Sequence, residues 1–209
     1  MKNIKPYPTE QEQPVYRTLN EVDFSALYSY ADYMRFEFDE RLEIIKGQLF
    51  KMSPAPSRIH QGILTNIFGP IYNALKGKPC RVYSAPFDVR LAKKMQDDKE
   101  IFTVVQPDIV VVCDPAKLDQ RGCIGAPDIV VEILSPGNNE KELINKYEVY
   151  EEAGVKEYWL VSPAHKTFFR YILDENGKFQ PTKMLTEGEE VTTSIIPSLK
   201  LVLEEVFQD

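Results

Sequence analysis

Two acidic residues embedded in apolar segments are the residues best suited to chemistry. Asp108 begins the run Asp-Ile-Val-Val-Val, and Glu132 ends the run Asp128-Ile-Val-Val-Glu. Two carboxylates in a hydrophobic sheet lose hydration and repel each other. A divalent cation removes both penalties, and Mg²⁺ prefers such oxygen ligands while keeping several of its waters. Asp108 and Glu132 are therefore a candidate metal site, unless both lie at strand ends in solvent.

The link between the two apolar segments decides whether these carboxylates meet. It is rich in Gly, Pro and Asp and too short for a crossover helix, whereas parallel neighbours need a dozen or more connecting residues. The two strands are therefore predicted to be antiparallel. If Cys113 lies near Asp128, opposed residue numbers sum to about 241, which places Asp108 opposite residue 132 or 133. The two side chains share a face only in a suitable register or with a bulge, and the sequence leaves the register open.

Asp128 lies on the same strand face as Glu132, roughly 13 Å away along the strand. That separation is too large for one metal ion. Asp128 is therefore interpreted as a turn or strand-start residue that follows Pro127.

The periodicity of apolar residues predicts the elements that would position these side chains. Thr18 and Glu21 have the spacing of a capping box, which favours a helix after them. The predicted helices span about 20–34, 57–76 and 140–153, and the predicted strands span about 80–84, 86–91, 108–113, 128–134 and 157–161. Hairpins are expected at 42–45 with 49–52 and at 167–173 with 178–185, and an exposed loop at 93–100. This order predicts an α/β fold with a mixed β-sheet flanked by helices and hairpins added towards both termini.

Length and charge narrow the class of protein. A polar arm at 1–17 followed by one domain at 18–209 fits a chain of 209 residues. The apolar runs are too short to span a bilayer, and the first residues contain no signal-peptide core, so a cytoplasmic location and no membrane partner are expected. The net charge of −7 argues against broad adhesion to a polyanion. The three cysteines, Cys80, Cys113 and Cys123, fit no zinc or disulfide pattern and are expected to be reduced thiols.

Several segments of the sequence resemble a known family. Those segments are Leu42-Glu43-Ile-Ile-Lys-Gly47, Met52-Ser-Pro-Ala-Pro-Ser57 with His60, Gly125-Ala-Pro-Asp-Ile-Val-Val-Glu-Ile-Leu-Ser-Pro136, Lys146 with Tyr150, and Glu151-Glu-Ala-Gly-Val-Lys-Glu-Tyr-Trp-Leu-Val161. With Pro107-Asp108, they resemble the bacterial Uma-two type of restriction endonucleases, within the PD-(D/E)xK nuclease superfamily. The resemblance covers roughly residues 20–207 and implies the restriction-endonuclease-like fold.

The resemblance also implies roles for individual residues. Asp108 and Glu132 match metal ligands, and the carbonyl of Ile133 is the expected third ligand. The lysine of the superfamily motif is replaced by Leu134, and Lys146 on the following helix matches a migrated lysine. Its neighbours Glu142 and Tyr150 lie on the same side of that helix, and a surface Glu142–Lys146 ion pair is the alternative reading of this spacing.

Glu43 and His60 are marked by the family motif as residues that could border the metal site, and Gln106 could point the same way along its strand. Each has a simpler interpretation as a strand or surface residue.

The expected activity is Mg²⁺- or Mn²⁺-dependent hydrolysis of phosphodiester bonds in DNA. DNA binding by an acidic chain needs locally concentrated basic residues, and the candidates are Arg58, Lys76, Lys78, Arg81, Arg90, Lys93 and Lys94. The alternative is an inactive nuclease-fold module for binding or assembly, with a homodimer as one form. The sequence lacks the Gly-rich phosphate loops, which argues against a nucleotide-binding α/β protein.

Overall fold

The computed structural model describes residues 14–52, 55–92, 96–136 and 140–208, with the side chains of 140–142 outside the description. The helices are α1 (Tyr30–Tyr33), α2 (Arg58–Leu75), α3 (Glu140–Ala153) and α4 (Leu203–Val206). The strands are β1 (Leu42–Ile45), β2 (Gln48–Lys51), β3 (Arg81–Ser84), β4 (Val89–Arg90), β5 (Val104–Val105), β6 (Ile109–Val112), β7 (Leu118–Asp119), β8 (Gly122–Ile124), β9 (Ile129–Ile133), β10 (Glu157–Ser162), β11 (Thr167–Leu173), β12 (Phe179–Pro181), β13 (Leu185–Thr186), β14 (Glu190–Val191) and β15 (Leu201–Val202). Short 3₁₀ turns occur at Leu19–Glu21, Asp98–Glu100 and Pro115–Lys117.

Two β-sheets form the framework of the fold. One sheet has the order β2-β1-β5-β4-β8-β7, and the other has the order β12-β11-β10-β9-β6-β3, with β13 also paired to β11. Most neighbouring strands are antiparallel, whereas β9 runs parallel to β10, with α3 in the connection between them. This is the mixed α/β architecture that the sequence predicts.

The pairing of β6 with β9 places the two candidate carboxylates opposite each other. The strands are antiparallel, and Ile109 pairs with Val131. The residue numbers of opposed positions therefore sum to 240, and continuing the ladder by one residue sets Asp108 opposite Glu132. Directly opposed residues of an antiparallel pair lie on the same face of the sheet. The open question of register is therefore resolved in favour of a shared face, without a bulge in this ladder.

Helix α2 begins at a side-chain cap and packs along one apolar stripe. The Ser57 hydroxyl accepts a hydrogen bond from the backbone N–H of His60 at 3.2 Å, which satisfies a donor of the first turn. The buried side chains of the helix recur every three to four residues as His60, Ile63, Ile67, Ile71 and Leu75. His60 begins this stripe in the first turn of α2, which lies next to the end of β9.

Helix α3 is attached to the β1–β2 hairpin. Lys46 and Gly47 form its two-residue turn, with φ of 51° and 81°, as a type I′ turn requires. Lys46 Nζ lies 3.1 Å from a carboxylate oxygen of Glu148 and 2.9 Å from one of Glu152, both on α3. These exposed ion pairs link α3 to the turn after β1, the strand that carries Glu43.

Apolar clusters occupy both faces of each sheet. One cluster packs α2 and the C-terminal segment against β6, β9 and β10, with Ile67, Ile109 and Trp159 fully buried. A second packs α3 between the sheets, and a third covers the six-stranded sheet with the N-terminal segment. The sheet residues that face α3 are therefore enclosed on all sides, and the polar groups there must find partners.

The predicted helix at about 20–34 is wrong. The structure has only the 3₁₀ turn Leu19–Glu21 and the single helical turn Tyr30–Tyr33. Thr18 makes no side-chain cap, and the Glu21 carboxylate accepts from the backbone N–H of Arg17 at 2.8 Å. Local side-chain bonds of this kind compete with helix formation. The capping box lies further along the chain, where Ser29 and Asp32 bond each other's backbone N–H groups.

The expectation of three reduced cysteines is also wrong. Cys80 and Cys113 extend the β3–β6 ladder beyond the pair Arg81–Val112, and a disulfide joins them. Only Cys123 of the three has a free thiol, which is buried. The cross-strand position of Cys80 and Cys113 could be found only once the β3–β6 register was known.

Most of the predicted arm at 1–17 lies outside the described residues. Its last part is held in place, because Tyr16 forms a β-bridge with Phe36 and packs edge-on against that ring. The division into arm and single domain stays a prediction. Among the helices of the described ranges, none has the length and apolar character that crossing a membrane requires.

Candidate active site

Lys146 lies between two buried carboxylates. Its Nζ is 3.0 Å from Oε1 of Glu132 on β9 and 3.1 Å from Oε2 of Glu43 on β1. The exposed fractions are 5% for Lys146, 2% for Glu43 and 9% for Glu132. Tyr150, one turn after Lys146, donates its hydroxyl proton to the same Oε1 of Glu132 at 2.7 Å. Helix α3 thus supplies both partners of this carboxylate.

Asp108 and His60 form the other half of the site. Asp108 Oδ2 accepts a hydrogen bond from the backbone N–H of Ile133 at 2.7 Å, which joins the start of β6 to the end of β9. Nε2 of His60 lies 3.1 Å from the Ile133 carbonyl oxygen and 3.3 Å from Asp108 Oδ2. Since both of these atoms accept, Nε2 must carry the proton. Both backbone polar groups of Ile133 are therefore engaged, its N–H by Asp108 and its carbonyl by His60.

Glu43 is held by the backbone of the neighbouring segment. Its Oε1 accepts from the backbone N–H of Gln106 at 2.7 Å, while Oε2 faces Lys146. Every residue of β1 is buried, and Leu42 and Ile44 pack into the N-terminal cluster on the opposite face. Strand alternation therefore turns Glu43 towards α3.

Burial and neighbouring charge shift the pKa of the central groups. Burial raises the pKa of Glu132 above its ordinary value, Lys146 opposes this shift, and Asp108 and Glu43 add to it. Burial alone would lower the pKa of Lys146, but Glu132 and Glu43 outweigh burial and raise it. Lys146 is therefore charged at neutral pH, and its ammonium group contacts both carboxylates.

His60 has a raised pKa for a similar reason. Burial opposes its protonation, but the hydrogen bond and charge of Asp108, with the Ile133 carbonyl, raise its pKa above the ordinary value. His60 can therefore carry positive charge beside Asp108 at a higher pH than a free imidazole would.

The donor set fits a hard divalent cation. Glu43, Glu132 and Asp108 contribute three carboxyl groups against the ammonium of Lys146 and the imidazole of His60, so the cluster has more potential negative than positive groups. Among the described residues, no hydrogen bond uses Oε2 of Glu132 or Oδ1 of Asp108. No group of three or more His, Cys, Asp or Glu side chains in those ranges is arranged to hold a metal. A metal here would bind two carboxylates, the Ile133 carbonyl and water, a set that suits Mg²⁺ better than Zn²⁺.

All six residues expected at the site lie in this one cluster: Glu43, His60, Asp108, Glu132, Ile133 and Lys146. The hydrogen bond from Tyr150 to Glu132 was not predicted, although the spacing of Tyr150 from Lys146 placed it on the same side of α3. The side chain of Glu142 lies outside the description, so its pairing with Lys146 stays a prediction.

Two other expectations need correction. The Gln106 side chain turns away from the cluster, and its Nε2 donates to Asp88 Oδ1 at 2.9 Å. Only its backbone N–H reaches the site. Arg90 is not an exposed DNA contact: it is 1% exposed, and its Nη2 lies 2.6 Å from Asp119 Oδ1. Two more of the basic candidates, Lys93 and Lys94, lie outside the described residues.

Asp128 has the structural role that was predicted for it. It precedes β9 directly, and its Oδ2 accepts from the backbone N–H of Cys113 at 2.6 Å. Its Oδ1 lies 2.6 Å from Nζ of Lys156. The carboxylate therefore fixes the far end of the β6–β9 pair.

Comparison with known proteins identifies the family and the fold. The family model described as "Uma2: Putative restriction endonuclease" matches residues 26–204. This chain belongs to the Uma2 family. Membership of the Uma2 family supports a nuclease function.

Two relatives of this Uma2 chain extend the comparison. The uncharacterized protein slr1290 of Synechocystis sp. is 25% identical over 139 residues, which are 66% of this chain and 69% of that protein. The crystal structure of a putative nuclease belonging to DUF820 from Anabaena variabilis superposes with a TM-score of 0.66 at 19% identity. That match covers 86% of this chain and 97% of the other, and it shows that the two share a fold. The prediction of a restriction-endonuclease-like fold is confirmed.

Proposed function

We propose that this chain is an endonuclease that hydrolyses phosphodiester bonds in DNA with the help of Mg²⁺ or Mn²⁺. The observation that carries the proposal is the position of Asp108 opposite Glu132, with Lys146 3.0 Å from Glu132 Oε1. Asp108, Glu132 and the carbonyl oxygen of Ile133 are the proposed metal ligands. A bound divalent ion supplies a water of lowered pKa and stabilises charge on the phosphate.

The side chains around these ligands have distinct proposed roles. Lys146 orients the attacking water or neutralises charge that develops on the phosphate oxygens, because Glu43 and Glu132 hold its ammonium group in place before the reaction. Glu43 is a positioning residue that holds Lys146 through their 3.1 Å contact. His60 positions the Ile133 carbonyl and Asp108 through its shared Nε2–H.

The test is cleavage of plasmid and single-stranded DNA by the purified protein with Mg²⁺, with Mn²⁺ and with EDTA. Asp108→Asn and Glu132→Gln keep the size of each side chain and remove one ligand charge. Each should reduce cleavage at least about a hundredfold, because even residues that only support metal ligands affect activity by 10–100-fold. Asp114→Asn, at an exposed turn residue, is the matched control. Cleavage that persists in both site variants would rule out the assignment.

DNA binding is proposed to depend on exposed basic residues near α2. Arg58 lies at the start of α2 and, with Lys166, lines a groove of about 1000 Å³ beside the helix. Lys78 and Arg81 lie near its end, where Lys78 Nζ donates to Ser198 Oγ at 2.7 Å. A steep fall in DNA affinity with salt would support phosphate contacts by this surface.

The alternative is a nuclease-fold module that binds or assembles without cleaving. One observation favours it: Lys146 is already engaged by two carboxylates in a buried ion triad, and Leu134 stands where the superfamily lysine is expected. Such a module could act as a homodimer. Absence of Mg²⁺ and Mn²⁺ binding to the unmodified protein in calorimetry would favour this alternative over the endonuclease.

A further inference from the structure

A separate pocket adjoins the candidate active site. It has a volume of about 440 Å³ and lies between the start of α2, the segment after β9 and the turn after β10. Its size falls within the range of about 300–1,000 Å³ for sites that hold small organic groups. Of the residues given a role in the proposed reaction, only His60 lines this pocket.

The walls of the pocket are mainly apolar, with polar groups along part of the lining. The apolar wall residues are Ile59, Leu134, Pro136, Pro163 and Ala164. Ser162 and His165 form a polar edge, with Ser162 Oγ 3.0 Å from His165 Nδ1. Among the described residues, no hydrogen bond uses Nε2 of His165, which lies on an exposed residue. Apolar walls with hydrogen-bonding groups at one side suit a planar ring that has polar edges.

The pocket is continuous with the proposed phosphate site. His60 belongs to both, because it lines the pocket and its Nε2 lies 3.1 Å from the Ile133 carbonyl. Leu134, Ser135 and Pro136 also line the pocket and directly follow Ile133 in the chain. A group in the pocket would therefore be a near neighbour of a phosphate bound through a metal ion at Asp108 and Glu132.

We propose that this pocket holds one unpaired nucleobase of a single-stranded DNA segment, next to the phosphate at the candidate active site. The inference rests on the proposed function and adds a substrate class to it. A nucleobase has an apolar face for the proline and leucine walls and donors and acceptors for the Ser162–His165 edge. In a duplex, bases are stacked and paired and cannot enter such a pocket without being extruded, which costs energy. The protein should therefore prefer single strands to duplexes.

The test measures binding without metal, by fluorescence anisotropy in EDTA. The probes are a short oligodeoxythymidylate and an abasic oligonucleotide of the same length, which carries the same phosphates without bases. The unmodified protein should bind the thymidylate about tenfold more tightly, because one seated base contributes roughly that factor. Ala164→Leu narrows the pocket without adding an aromatic ring on which a base could stack, and it should reduce this difference. Ala116→Leu, at an exposed turn residue that does not line the pocket, is the matched control and should preserve it.

Either of two results would overturn the proposal. One is equal affinity of the unmodified protein for both probes. The other is a preference for bases that Ala164→Leu leaves unchanged. Both can be told apart from failure of the endonuclease proposal. A base preference that depends on Ala164, together with no cleavage under Mg²⁺ or Mn²⁺, would keep the pocket and reject the activity. Cleavage without a base preference would do the reverse.

Discussion

Nζ of Lys146 lies 3.1 Å from Oε2 of Glu43, and both side chains are almost fully buried. The contact joins helix α3 to the six-stranded sheet, while the same ammonium contacts Glu132 on the other sheet. Removing one partner of a buried ion pair is costly because the remaining charge loses its compensation. The stability of the fold and the geometry of the site therefore depend on the same residue.

Lys146→Met should lower the free energy of unfolding by about 3–5 kcal/mol, as expected for uncompensated buried charge. Urea denaturation at neutral pH measures the change. Lys200→Met, which removes an exposed lysine 3.6 Å from Glu190, is the control and should cost about 1 kcal/mol or less. Adding Glu43→Gln to Lys146→Met should recover part of the loss. Equal effects of the two lysine substitutions would contradict the role of Lys146.

Mg²⁺ or Mn²⁺ should raise the thermal unfolding temperature of the protein, because a ligand that binds only the folded state stabilises it. Asp108→Asn and Glu132→Gln should each abolish most of this rise. The measurement is differential scanning fluorimetry across a metal titration, with Glu190→Gln as an exposed carboxylate control. If both site variants respond to metal as the unmodified protein does, the metal binds elsewhere.

Two glycine substitutions should have opposite effects on stability. Gly122 has a φ of 124°, and a Cβ there would collide with the backbone carbonyl oxygen of Asp88. Gly122→Ala should therefore cost about 2 kcal/mol or more. Gly62 lies within α2, and a Cβ there meets no atom within 4 Å in the described structure. Gly62→Ala should stabilise by about 0.5–1 kcal/mol, and chemical denaturation distinguishes the signs.

Asp88→Asn should flatten the pH dependence of stability on the acidic side. Burial raises the pKa of Asp88 above 3.8, against the hydrogen bonds from Gln106 and Tyr30 and the charge of Arg90. The folded state therefore keeps the proton to a higher pH than the unfolded state does. Its contribution is fully present below the unfolded pKa and is lost as pH rises through the folded one, by ~1.4 kcal/mol for each unit of elevation.

Urea denaturation of both proteins at a series of pH values from acidic to neutral checks this. The stability of Asp88→Asn relative to the unmodified protein should increase as the pH rises. A constant difference across the series would show that Asp88 has the same pKa in the folded and unfolded states.

The sequence predicts which residues lie together at the candidate site better than it predicts the elements near the N-terminus. Asp108 and Glu132 could be placed together because apolar runs, a short link and antiparallel pairing leave few registers. The helix that carries Lys146 was also predictable, since Gly154 ends it. The choice between neighbouring registers depended on tertiary packing, which is not encoded in any one strand.

The failures have physical causes as well. In the region 20–34, Phe24 and Leu27 have helical spacing, yet both are exposed, and Tyr28 and Tyr30 are buried instead. Asp23 accepts from the backbone N–H of Ser25, and Ser29 accepts from that of Asp32; these local bonds replace the expected helix. The contact of Glu43 with Lys146 required knowing how the two sheets approach each other, which local patterns do not report.

The cluster around Lys146 also has a consequence for assembly. Its carboxylates come from different sheets, and its cation comes from the helix in the shared core between those sheets. A partly folded chain with only one sheet in place would leave the ammonium with half of its compensation. The proposed metal and phosphate site should therefore form late in folding, once both sheets have packed on the helix, and a truncated or misassembled chain would lack it.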